Sequence, residues 1–165
     1  MIRPLLSVAI LVCAAPSFAE DALPTEPSLG EAMTEKRVAV VTGAIRGPGK
    51  EVARHLAKEH GLKVYIGSRD LEKGRAAAQE TGHDAEALQL DVSDRVLVDA
   101  AFAMIEAEVG RLEVLVNNAG ADYDTDQRAS TADLDRVNRA FETNLVGACA
   151  AIKTSQRWES RRVPI

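Results

Sequence analysis

An α/β fold built on a doubly wound parallel sheet of about four strands is predicted by three features of the 165-residue sequence. Short apolar, β-branched runs recur at intervals, as in Val38 to Val41 and Leu112 to Val116. Between them lie longer segments whose apolar residues repeat at helical spacing, and glycines punctuate the junctions. Parallel neighbours need a crossover of a dozen or more residues, which a helix supplies, so this alternation reads as βαβ units with spatial strand order 3-2-1-4.

Each element follows from its residues. Val38-Ala39-Val40-Val41 is continuously apolar, as expected of a strand buried on both faces. Pro48 to His60 carries Val52, Ala53, Leu56 and Ala57 at helical spacing and stops at Gly61. Lys63 to Ile66 is a second strand, Asp70 to Thr81 a second helix closed by Gly82, and Ala87 to Leu90 a third strand. Ser93 is expected to cap a helix running to Val109 before Gly110, and Leu112 to Val116 is the fourth strand. Ser130 or Thr131 then opens a long helix with Leu134, Val137, Phe141, Leu145 and Ala148 on one stripe. No solenoid-type repeat or low-complexity tract interrupts the pattern.

Composition sets bounds on function. With 46% apolar and 27% charged residues, one globular core can form. A net charge of −5 leaves no basic footprint for nucleic acid or anionic lipid. Cys13 and Cys149 suggest no disulfide framework and are expected to be buried small apolar residues. His55, His60 and His83 have no partners at zinc-ligand spacing and read as helix-surface or turn residues.

Residues 1–19 stand apart. Arg3, the apolar run Leu5 to Ala15 and the small residues of Pro16-Ser17-Phe18-Ala19 form the pattern of a secretory signal peptide, and the run is too short to be a stable membrane anchor. The alternative is translation from Met33, which would leave the product in the cytoplasm. Residues 20–36, rich in proline and acidic side chains, read as a linker.

Chemistry begins where the first strand meets the first helix, at Thr42-Gly43-Ala44-Ile45-Arg46-Gly47-Pro48-Gly49. Glycines there allow a tight turn and a close approach of backbone to a pyrophosphate, and the helix N-terminus supplies free N–H groups with partial positive charge. Three further motifs follow in order: Leu90-Asp91-Val92 after the third strand, Asn117-Asn118-Ala119-Gly120 after the fourth, and Glu142-Thr143-Asn144-Leu145-Val146-Gly147 in the long helix.

In these four motifs the sequence resembles the short-chain dehydrogenase/reductase family from about Arg37 to Ala151, with wording similar to its carbonyl-reductase-like branch. The resemblance implies the N-terminal half of a Rossmann-type fold over residues 37–151. It also implies a nicotinamide dinucleotide held by Gly43, Gly47 and Gly49 at the pyrophosphate, Asp91 and Val92 at the adenine, and Asn117, Ala119 and Gly120 beneath the ribose. Asn144 matches the family's active-site asparagine. NAD-preferring dinucleotide folds carry an acidic residue at the end of the second strand; here Ser68 and Arg69 stand there with Arg46 nearby, which favours NADP. The bland alternative pairs Arg69 with Asp70 or a neighbouring glutamate. Pro48 departs from the family by removing one N–H from the phosphate cradle.

The other departures concern catalysis. The family protonates its carbonyl substrate with a tyrosine, helped by a lysine four residues later and a serine. Four residues after Tyr65 and Tyr123 stand Arg69 and Gln127, so neither forms Tyr-x-x-x-Lys, and Asn144 alone matches the tetrad. Residues 152–165 are basic and aperiodic and read as an aberrant tail after a truncation. The sequence thus suggests an NADP-dependent, carbonyl-reductase-like oxidoreductase lacking its catalytic segment or, alternatively, a non-catalytic NADP-binding module. Asp122, Asp124 and Asp126 have calcium-loop spacing, but Gln127 and Asp133 fill the positions of the required glycine and glutamate, so no metal is expected.

Overall fold

A computed structural model describes residues 11–12, 36–121 and 128–156. Five strands form one sheet: β1 (Leu11–Val12), β2 (Val38–Thr42), β3 (Lys63–Ser68), β4 (Ala85–Gln89) and β5 (Val114–Asn117), in spatial order β1-β5-β2-β3-β4. The last four are parallel, with Val40 opposite both Tyr65 and Leu115. Their order is the one the βαβ pattern predicts. The addition is β1, whose backbone pairs antiparallel with β5 (Leu11 with Asn117, Val12 with Val116), so two residues of the signal-like segment lie on the sheet's edge.

Alternate side chains of a strand point to opposite faces, and both faces here are covered. Val38, Val40, Tyr65, Leu88 and Leu115 pack with Phe102 and Ile105 of α3 (Arg95–Glu108) and with Ala150 and Ala151 of α5 (Ala148–Gln156). Ala39, Val41, Val64, Ile66 and Val116 pack against Ala53 and Ala57 of α1 (Gly47–Lys58) and Ala77 and Ala78 of α2 (Leu71–Thr81). Complete burial of a side chain such as Phe102 or Ile66 contributes about 1.5–3 kcal/mol, so the two-sided strands anchor the fold.

Helix starts differ from expectation by a residue or more because aspartate outcompetes the neighbouring hydroxyls. Asp94, not Ser93, caps α3, accepting from Val96 N and Leu97 N. Ser93 instead donates its backbone N–H (3.0 Å) and hydroxyl (2.7 Å) to Asp91 Oδ1. Likewise Ala129–Thr131 is a 3₁₀ turn, and Asp133 caps α4 (Leu134–Phe141). A π-helical segment, Glu142–Gly147, joins α4 to α5.

The predicted apolar stripe is not the buried one. Leu134, Phe141 and Leu145 are 71%, 59% and 54% exposed, and the helix instead buries Gly147, Ala150, Ala151 and Thr154. Leu134 and Phe141 belong to α4, which buries none of its residues, and the π segment after it holds an extra residue that rotates only α5 relative to 3.6-residue spacing. Cys149 is likewise exposed, contrary to expectation, because it falls between the buried positions on the outer side of α5. Helix α5 continues through residues 152–156, within the stretch read as an aperiodic tail, and Thr154 Oγ1 donates to Asp99 Oδ1 at 3.1 Å. Cys13, most of residues 1–36, the loop 122–127 with Tyr123, and residues 157–165 lie outside the described residues.

Candidate functional site

The parallel strands end on one edge of the sheet, where loops and helix starts diverge and leave a cleft, the usual place for a ligand in open α/β sheets. Its volume is about 450 Å³, and Gly43, Arg46, Gly47, Ser68, Arg69, Asp91, Val92, Ala119 and Gly120 all line it. Four motifs far apart in sequence therefore converge because each follows, or packs over, a strand C-terminus. Three expected site residues, Gly49, Asn117 and Asn144, do not line the cleft. Sequence reasoning passed over Asn118, Lys73 and Thr143, which do.

The floor is a tie between the ends of β2 and β5. Thr42 Oγ1 accepts from Asn118 N and Ala119 N, each at 3.0 Å, and donates to Val116 O at 3.3 Å. Asn118 Nδ2 donates back to Thr42 O (3.0 Å) and Gly43 O (3.1 Å). A Cβ at Gly49 would fall 2.8 Å from Asn118 Cγ, so this helical glycine makes room for the asparagine side chain. Asn117 ends β5, and its Oδ1 is buried without a partner among the described residues. The signal for Asn118 was the second asparagine of the Asn-Asn pair; only the packing distinguishes it from the first.

Gly43 and Gly47 both adopt left-handed backbone, at φ +64° and +60°. That conformation disfavours side chains and lets the chain turn from β2 into α1 within four residues. At Gly47 a Cβ would meet nothing within 4 Å, leaving backbone bare toward the cleft. Pro48 sits in the first turn of α1, where its fixed φ suits the helix and its missing N–H removes one donor. The bare glycine backbone at a helix N-terminus fits a pyrophosphate group.

One end of the cleft is cationic. Arg46 and Arg69 are exposed and form no ion pair among the described residues, so the predicted competitor for Arg69 is not its partner. Asp70 instead pairs with Lys73 (Nζ to Oδ2, 2.9 Å), and the hydrogen bond to that ammonium holds the Asp70 carboxyl below the usual carboxylate range. Ser68 is buried, donating to Asp70 O at 2.6 Å and accepting from Asp70 N at 3.2 Å. Gln89 Nε2 donates to Arg69 O at 2.7 Å, which pins this peptide while the guanidinium stays outside.

The other end is set by Asn144. Its Oδ1 accepts from Ala121 N at 2.9 Å and its Nδ2 donates to Ala121 O at 3.1 Å, fastening the π-helical segment to the loop after β5 and placing Thr143 at the cleft. Tyr65 is no candidate acid: it is fully buried in the sheet, and burial pushes its phenol up to about 12. Among the described residues no cluster of His, Cys, Asp and Glu could hold a metal, and no helix is long and apolar enough to cross a membrane.

Comparison with known proteins agrees with this geometry. The family model of the short chain dehydrogenases matches residues 37–159. The chain is 36% identical over 136 residues to the short-chain dehydrogenase/reductase ATR10 of Stachybotrys chlorohalonatus, covering 78% of this chain and 49% of that protein. The solved F189W actinorhodin polyketide ketoreductase with NADPH superposes with a TM-score of 0.70 at 32% identity, over 78% of this chain and 49% of that one. The 3-ketoacyl-(acyl-carrier-protein) reductase of Brucella melitensis, complexed with NADH, gives a TM-score of 0.66 at 33% identity, over 72% and 48%. The chain thus spans about half the length of these relatives. With a family match over most of its length, a parallel sheet in the expected order and the motifs gathered at one strand edge, this chain belongs to the short-chain dehydrogenase family.

Proposed function

We propose that residues 37–151 are the NADP-binding half of a carbonyl-reductase-like short-chain dehydrogenase/reductase, preceded by a signal-like segment at 1–19 and a linker at 20–36. Relatives of similar likeness have been solved with NADPH and with NADH, so cofactor choice rests on this chain's own charges. The observation that carries it is the cationic cleft end, with Arg46 and Arg69 unpaired among the described residues and Ser68 where an acidic residue would select NAD.

In this reading the glycine backbone at Gly43 and Gly47 and the start of α1 take the pyrophosphate. Asp91 and Val92 border the adenine, and Ala119 and Gly120 border the adjoining ribose. The guanidiniums hold the 2′-phosphate by forked hydrogen bonds. The bound nicotinamide supplies hydride chemistry. Asn144 positions the loop at the far end through Ala121 and is no acid, and the 165 residues contain no Tyr-x-x-x-Lys to donate a proton. These residues by themselves therefore bind cofactor without turning over carbonyl substrates; loss of a matched general acid alone removes typically about 10²–10⁴-fold of rate.

Calorimetric titration of the 165-residue chain should show tighter binding of NADP than of NAD, and Arg69→Asp should reverse the order. An unchanged preference in that variant would refute the cofactor assignment. Incubation with NADPH and a panel of aldehydes, ketones and quinones should leave the cofactor absorbance at background; oxidation abolished by Tyr123→Phe would refute the absence of an acid.

A further inference from the structure

The two sides of the parallel sheet are protected differently. An outer strand presents unpaired N–H and C=O groups on which another strand can add, and a charge, a proline or a covering segment blunts that tendency. Strand β4 carries its own charge, the exposed Glu86, whose carboxylate lies 3.0 Å from Lys63 Nζ. Strand β5, Val114-Leu115-Val116-Asn117, has neither charge nor proline. Glu113, just before it, is held on the β2 side: its carboxylate accepts from Val38 N at 2.6 Å and its own N–H donates to Val38 O at 3.0 Å. Among the described residues the far side of β5 is covered by β1 alone, with Leu11 opposite Asn117 and Val12 opposite Val116. This pair is antiparallel in a sheet whose other three pairs are parallel.

We propose that the far side of β5 is a strand-addition site whose partner is β5 of a second copy of this chain, and that Leu11–Val12 guard it. The antiparallel β1 shows that this edge accepts a strand of reversed direction, which is the direction a second β5 takes across a twofold axis. Two such strands set valine and leucine against each other with no like charges opposed, and cross-strand pairs of this kind are favourable. The second β5 also offers four residues where β1 offers two. Cleavage after the signal-like segment at 1–19, or translation from Met33, would delete the guard, so the fate of that segment sets whether the chain pairs with itself. The inference stands on strand pairing and is independent of the NADP assignment.

The test compares the full chain with its Leu11→Pro/Val12→Pro variant, which removes both N–H groups of β1 and touches no residue of the cleft, with circular dichroism to check folding. In dilute solution, the β5 amides that face away from β2 should exchange with deuterium about two- to tenfold faster in the variant, the range for loss of one backbone hydrogen bond, while β3 amides keep their rates. On concentration the variant should form a dimer that dissociates on dilution in sedimentation velocity, and in the dimer those β5 amides should slow again. The unsubstituted chain should stay monomeric at the same concentrations. A Leu11→Gly/Val12→Gly pair, which weakens the strand and keeps its N–H groups, should give the same changes at smaller size. Equal β5 exchange in the proline variant and the unsubstituted chain would overturn the guard. A variant that stays monomeric, or passes directly to irreversible aggregates, would overturn the pairing of two copies.

Discussion

Alanine at Gly43 and at Gly47 separates backbone strain from steric collision within one loop. Both residues lie in the left-handed region, at φ +64° and +60°, so alanine at either carries a conformational penalty of about 1–2 kcal/mol. At Gly47 the new methyl would meet nothing within 4 Å, and the penalty should end there. At Gly43 the methyl would stand 2.8 Å from Ala119 Cα and 3.2 Å from Ala119 N. Ala119 is backbone tied to Thr42 Oγ1 at 3.0 Å and cannot rotate away like a side chain, so relief requires moving the β5 loop. Overpacking adds about 1–3 kcal/mol, and a weakened Ala119 hydrogen bond about 1 kcal/mol. Gly43→Ala should therefore cost about 3–6 kcal/mol in all, against about 1–2 for Gly47→Ala. Urea unfolding followed by circular dichroism reads both from the shift in midpoint at constant slope. Equal losses in the two variants would mean that the contact between the glycine turn and the β5 loop does not hold the cleft floor together.

Other consequences follow from the buried polar groups. Gly49→Ala should displace the Asn118 side chain, break its two bonds to Thr42 and Gly43, and cost about 1–3 kcal/mol; a neutral result in the same urea assay would deny Asn118 its bracing role. Tyr65→Phe should be neutral or stabilising by up to about 1 kcal/mol, since the buried Tyr65 hydroxyl meets no described residue within hydrogen-bond geometry, and a larger loss would show that it bonds the Lys63 and Glu108 side chains that act on its phenol. Stability should also fall in alkali. Burial pushes Tyr65 up to about 12; burial alone would pull Lys63 down, but the Glu108 and Glu86 carboxylates outweigh it and raise it. Both groups are raised on folding, so their contribution is complete below about pH 10, the ordinary range of Tyr and Lys, and fades as pH climbs through their folded values. Melting temperatures across that range should drop less steeply in Tyr65→Phe than in the unsubstituted chain.

Much of this protein follows from the sequence alone. Strands buried on both faces must be apolar at every position, which is why Val38 to Val41 was legible, and the glycine turn, Leu90 to Val92 and Asn117 to Gly120 fall after strands where a ligand cleft forms. The cations Arg46 and Arg69 and the neutral Ser68 were equally readable, because they depend on residue type at a position the strand pattern defines. The tertiary structure decided the division of labour. It tied the Asn118 side chain to Thr42 and Gly43, left Asn117 Oδ1 buried without a partner among the described residues, and made Gly49 the space that the Asn118 side chain fills. It directed Asp70 to Lys73 instead of Arg69 and put Asn144 onto Ala121. It also exposed the stripe of Leu134, Phe141 and Leu145 that helical periodicity placed inside. Sequence periodicity shows that a helix has an apolar face but not whether the fold covers it, and α4 is left uncovered while the π turn re-phases only the α5 positions after it; hydrogen-bond partners depend on which atoms come within about 3 Å after the strands have paired, and no local pattern encodes that distance.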